Sequence, residues 1–252
     1  MSRQPPQEYR EPLNPNYRGD PRNPGNYSAN ISESQNCATW WTYLPANCDY
    51  EMLMNSMHNI GRVRHANLND PMEYRDDKTG QRNYFRAAKV EFFDRESVDR
   101  LLEARDRHEI RVGPHGMIPV IKLNRTRLAP HEPRPNIPGN GGRVSRVLLV
   151  IGPREVVDAG VIQSLWRRNN LDYVLDTNPN MQLSPGPLPE TMVVRFSFVS
   201  HRYNAARALS ILEQQRFNGN LTQEEIELWR KVTCAWDWDP CDLPQPLPGL
   251  DQ

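Results

Sequence analysis

CATWWTYLP, residues 37–45, is the stretch whose reading decides the fold. Two tryptophans sit side by side in a short apolar run bounded by Asn36 and Pro45. On a β-strand, neighbouring side chains point to opposite faces, so Trp40 and Trp41 cannot both be core. One packs inward and the other is displayed on the outer face of the sheet.

Outward from this run, residues 49–60 (DYEMLMNSMHNI) place Met52, Leu53, Met57 and Ile60 at helical spacing, with Asp49 as N-cap and Gly61 as stop. A short strand at 63–68, a long polar loop at 69–84 and a strong strand at 87–93 (AAKVEFF) come next. A helix at 96–107 follows, then strand-like pieces at 109–112 and 119–124 around the turn Gly113-Pro114-His115-Gly116. The order is βαββαβ, which covers one sheet face with both helices and leaves the other open. The pattern then repeats: a strand at 146–152, a helix at 156–168, a short strand at 172–176, a strand at 191–199, a helix at 203–215 and a strand at 231–237. A proline-rich loop runs to Pro189, and a capping box, Thr222 with Glu225, opens an added turn or helix at 222–230.

An open face with an aromatic on the first strand points to a single-stranded nucleic-acid binder. Here the chain resembles the RNA recognition motif (RRM), in particular its divergent tandem versions in filamentous fungi. The family's first-strand hexapeptide is matched by Thr39-Trp40-Trp41-Thr42-Tyr43-Leu44 followed by Pro45, which puts Trp40 at the stacking position and Trp41 in the core. Its third-strand octapeptide is matched by Phe85-Arg86-Ala87-Ala88-Lys89-Val90-Glu91-Phe92. Ala88, Val90 and Phe92 fit the buried positions, while the two remaining stacking aromatics have become Ala87 and Lys89. In the second copy Leu148 stands at the position assigned to the ring, with Val193 and Arg195 at the exposed octapeptide positions; Trp236 and Trp238 share a face with Val232 and Cys234 and read as packing residues.

The fold class expected is therefore α+β: two ferredoxin-like βαββαβ (RRM-like) sandwiches in tandem, behind a disordered N-terminal tail. The boundaries read as a tail at 1–35, a first domain at 36–129, a Pro/Gly linker at 130–144, a degenerate second domain at 145–243 and a proline-rich tail at 244–252. Residues 37–129 carry a net charge of +2 and residues 145–252 carry −3, within a chain of 31 basic and 31 acidic side chains. Neither half is the strongly basic body of a tight, sequence-independent nucleic-acid binder, so RNA affinity should be modest and local.

The candidate RNA-binding residues are Trp40 and Thr42 on the first strand, Arg86 and Lys89 on the third, and Lys122, Asn124, Arg125 and Arg127 at the end of the domain. Arg75, Lys78, Arg82 and Arg86, with Tyr74 and Tyr84, either wrap a phosphate backbone or simply line a solvated loop. No catalytic or metal-binding residue is assigned: the six histidines are scattered, and the four cysteines show no CxxC spacing. The chain reads as a nuclear or cytoplasmic non-enzyme with reduced thiols, no cofactor, no membrane segment and no small-molecule substrate. Its expected partners are single-stranded RNA, of modest affinity, and a protein bound by the second domain. The alternative is a protein-interaction scaffold whose RRM folds have lost RNA.

Overall fold

A computed structural model describes residues 28–75, 80–131, 144–177 and 191–243, and the backbone of 180–183. Residues 1–27, most of the expected linker, the tip of the 69–84 connection including Lys78, and the tail at 244–252 lie outside the described residues. The fold is mixed α/β, built on two antiparallel sheets.

In the first half, β1 (Ala38–Pro45), α1 (Tyr50–Asn55), β2 (Val63–Leu68), β3 (Met72–Arg75), β4 (Arg82–Phe92), α2 (Arg95–Asp106) and β5 (Val120–Leu123) follow in that order. The strands lie side by side as β2-β4-β1-β5, with β3 pairing β4 beyond the end of β2. Asp49 caps α1 by accepting from the Met52 amide at 2.8 Å, and Asp94 caps α2 by accepting from the Ser97 amide at 2.8 Å. Between α1 and β2, Gly61 holds φ at 153°, and a Cβ there would meet Ser97 Oγ at 1.9 Å, so no other residue fits.

The alternation on β1 resolves as Trp41 in and Trp40 out. Trp41 is fully buried among Leu53, Met57, Val90 and Leu101, the inner face that both helices cover. Its indole N–H donates to Thr39 Oγ1 at 3.0 Å, and that hydroxyl donates to the Val90 carbonyl at 3.1 Å, so the buried polar atom is satisfied. Two stretches differ from expectation. The 69–84 connection is not a loop throughout, because β3 pairs with an extended β4 from Met72↔Phe85 to Arg75↔Arg82. Residues 28–35, read as tail, are docked: Ala29 N–H donates to the Arg127 carbonyl at 2.8 Å, and residues Glu33–Gln35 form a 3-10 turn. Backbone pairing and the Arg127 side chain order this piece without an apolar core of its own.

The second half comprises β6 (Val147–Pro153), α3 (Ala159–Arg168), β7 (Asn180–Leu183), β8 (Thr191–Ser197), α4 (Ala206–Gln214), α5 (Gln223–Arg230) and β9 (Thr233–Trp236). Its strand order, β7-β8-β6-β9, repeats that of the first sheet. The short strand expected at 172–176 is reduced to one bridge, Leu175↔Phe198. Leu148 corrects a register: it is fully buried and pairs with Phe196 and Trp236, whereas Leu149 pairs with Arg195 on the outer face. The residue equivalent to Trp40 is thus Leu149. Five consecutive apolar side chains, Val147–Ile151, hide the alternation that would have revealed this.

The halves are joined by buried chemistry. Arg146 is fully buried and donates through Nε and Nη2 to both carboxylate oxygens of Asp239, at 3.0 and 2.9 Å, and through Nη1 to Asp176. Burial alone would lower the Arg146 pKa, but Asp239, Cys241 and Asp176 outweigh it and hold the guanidinium charged. Asp239 in turn accepts from the Val63 amide of β2 at 3.2 Å. Beside this, Ala66 N–H donates to the Val199 carbonyl at 2.9 Å and Gly61 N–H to the Cys241 carbonyl at 2.6 Å. Val199 and Cys241, both from the second half, belong to the core of the first.

Candidate nucleic-acid interface

The helix-free face of the first sheet is read from its registers. Trp40 pairs with Lys89 on one side and Lys122 on the other, and Lys89 pairs with Asn67. One row across the sheet is therefore Asn67–Lys89–Trp40–Lys122, with the half-buried indole flanked by two ammonium groups. Trp41, Ala88 and Ile121 lie directly behind it in the core, so the platform under Trp40 is rigid.

The predicted residues fall into three groups. Trp40, Thr42, Lys89 and Lys122 share this face. Lys89 is spoken for: its Nζ lies 2.8 Å from Glu91, in an ion pair whose members are 20% and 12% exposed. Lys122 and Arg125 are exposed, and their side chains make no hydrogen bond or ion pair among the described residues. Thr42 Oγ1 only grazes the Val120 carbonyl at 3.5 Å.

Lys122, Asn124, Arg125 and Arg127 line one groove of about 520 Å³ along the β5 edge, together with Arg105 and Glu33. Two of them are also structural. Asn124 Oδ1 accepts from the Thr126 amide at 2.9 Å, and Arg127 Nη1 donates to the Ile31 carbonyl at 2.7 Å. The groove wall is thus partly the docked segment 28–36, which was not foreseen as part of the site.

Arg86 does not join the face, which corrects its assignment. It shares the inward side of β4 with Ala88 and Val90, and its Nη1 donates to the Cys48 carbonyl at 2.9 Å, near the start of α1. The octapeptide match put a cation there; strand alternation turns it towards the helices.

Two rings were missed, Tyr43 and Phe85, and a third, Tyr74, was named only as part of the 69–84 loop. On β1 the register to β4 shifts between Trp41 and Leu44, so Thr42 and Tyr43 together oppose Ala87. Tyr43 has φ of 60°, a left-handed conformation that costs a non-glycine residue about 1–3 kcal/mol. This bulge keeps Leu44 inside and holds Tyr43 outside, against Phe85 at 5.3 Å and Tyr74 at 6.1 Å between ring centroids. Phe85 and Tyr74 were present on alternating positions of β4 and β3, but only the hairpin pairing brings them to Tyr43.

At the β2 edge the second half borders the same face. His65 bridges Ser200, and its ring meets that of Tyr203 edge-on at 5.6 Å, with Arg202 over Tyr203 at 5.6 Å. Burial lowers the His65 pKa, with Glu91 pulling against it. On the outer face of the second sheet, Arg195 is tied down by Asp237 at 2.7 Å, Ser197 Oγ at 3.2 Å and the Trp238 carbonyl at 2.8 Å. Burial also raises the thiols, Cys37 and Cys48 to about 11 and Cys234 to about 12, so none is a ready nucleophile. Among the described residues no cluster of three or more potential ligands could hold a metal ion. No described helix is long and apolar enough to cross a membrane.

No family model matches the chain, and no curated protein matches it. Among solved structures, a Sxl-lethal protein/RNA complex is 15% identical, covering 79% of this chain and 98% of its own, with a TM-score of 0.24. The crystal structure of a "putative glycine cleavage system transcriptional repressor" is 7% identical, covering 78% and 95%, with a TM-score of 0.21. At those scores neither likeness bears on the site, and strand order and register stand alone.

Proposed function

We propose that the protein binds single-stranded RNA on the open face of its first half. Each half is an RRM-like βαββαβ sandwich, and the second serves as packing partner or protein-binding module. The observation that carries the reading is Trp40, half-buried on a helix-free face between Lys89 and Lys122, with the core directly behind it. A rigid indole with an open face stacks on an unpaired base whatever its identity. Lys122 and Arg125 supply free cations for phosphate, with Arg127 beside them. The chain acts by binding rather than by catalysis, in the nucleus or cytoplasm.

Salt dependence of binding tests this. Because Lys89 is paired internally, two or three phosphate contacts are expected, for a slope of log affinity against log salt of roughly −1.5 to −2, at about 0.7 per contact for single strands. Titrating the full chain with labelled oligoribonucleotides at several salt concentrations measures it. A slope near zero would remove the cations from the account.

The second reading, a protein-interaction scaffold, draws on the Lys89–Glu91 ion pair, which removes one of the two ammonium charges beside Trp40. A chain that binds no oligoribonucleotide in low salt would favour it.

A further inference from the structure

We propose that Tyr43, Tyr74 and Phe85 form a second stacking site, taking an unpaired base next to the one on Trp40. The inference rests on the RNA-binding reading and extends it to a corner where that reading assigned no stacking ring. Ala87 and Lys89 leave the middle of β4 without rings. The bulge on β1 supplies one from a different strand.

The geometry favours a base over other occupants. Tyr43 and Tyr74 are 42% and 46% exposed, so each keeps an open ring surface. Tyr43 stands at 73° to Phe85 and 80° to Tyr74, and the three centroids lie 5.3, 6.1 and 6.4 Å apart. Rings this close touch edge to face and enclose no gap, so a methylated ammonium has no cage to enter. The outer surfaces remain for stacking. Met72, the cross-strand partner of Phe85, and Val120, the partner of Thr42, add exposed apolar rims on either side. Lys122 follows Val120 by two residues on the same face, within reach of the phosphate of a base stacked at this corner.

Backbone conformation points the same way. Tyr43 is one of four non-glycine residues with positive φ among the described residues, and the ring it displays belongs to neither core cluster. Strain that turns a large ring outward, where it builds no core, belongs to a binding role.

The test uses the full chain, a labelled panel of short single-stranded oligoribonucleotides and three variants. Tyr43→Gly relieves the left-handed backbone while deleting the ring. It should keep or raise the melting temperature and weaken RNA binding about tenfold, the loss expected of one stacked base. Tyr74→Thr, on the exposed β3, should weaken binding severalfold with the fold unchanged, and stands in if Tyr43→Gly unfolds. Trp40→Ala separates the two claims. If Trp40→Ala loses affinity while Tyr43→Gly and Tyr74→Thr bind like the parent, the second site is overturned and the RNA reading survives. If the parent binds no RNA, or no variant changes the affinity, both fall.

Discussion

Two sheets with one strand order do different work in this chain. On the first, the outer face carries Trp40, Lys122 and the three-ring corner. On the second, the matching positions hold Leu149 and an Arg195 whose guanidinium is committed to Asp237, Ser197 and the Trp238 carbonyl. The second half instead gives its edge away: Val199 and Cys241 complete the first core, and Asp239, held by Arg146 within the second half, accepts from the Val63 amide of the first. A topology fixes which side chains share a face, and the residues placed there decide whether that face is a site or an anchor.

Separating the halves is the strongest way to break this comparison. Residues 28–131 expressed alone lack two members of their own core and the partner of the β2 edge. They should fail to melt cooperatively by circular dichroism, whereas a chain nicked within 132–143 should co-elute as one body. A fragment that melts as sharply as the full chain would make the halves independent.

Next is Arg146→Ala, which leaves Asp239 buried without its cation and should cost about 3–5 kcal/mol in chemical denaturation. A cost below about 1 kcal/mol would mean that the joint does not depend on the ion pair.

A smaller effect is set by pH. His201 packs between Phe93 and Trp236 with Nδ1 2.8 Å from the Ser145 carbonyl, and burial lowers its pKa from 6.5 to about 4. Between those values the unfolded chain binds the proton and the folded one does not. Its contribution is therefore present above pH 6.5 and lost as pH falls towards 4, up to about 3 kcal/mol. Urea midpoints at pH 7 and pH 4.5 should differ more for the parent than for His201→Phe. Equal differences would acquit His201.

What the sequence made legible follows the same division. On β1, alternation separates Trp40 from Trp41 but leaves open which one faces inward, since the polar neighbour Thr39 is itself buried; the hexapeptide match supplied the direction. In β6 five apolar residues in a row conceal the alternation, and Leu148 was placed on the wrong side. The Tyr43 bulge leaves no mark in composition, since a tyrosine at φ of 60° is an exception to the glycine preference that would flag it. Arg146 and Asp239 lie 93 positions apart, so nothing local ties them, and the joint became visible only with the fold. Arg86 was carried by motif matching, and the pleat overruled it.

Neighbouring tryptophans give the most direct test of the central claim. In the full chain Trp40→Ala should leave the denaturation midpoint nearly unchanged and remove about 1–3 kcal/mol of RNA binding, a loss on the order of ten- to a hundredfold. Trp41→Ala should cost about 3–5 kcal/mol of stability and weaken binding only through unfolding. If both variants fold and bind RNA as the parent does, the open face is not an RNA platform.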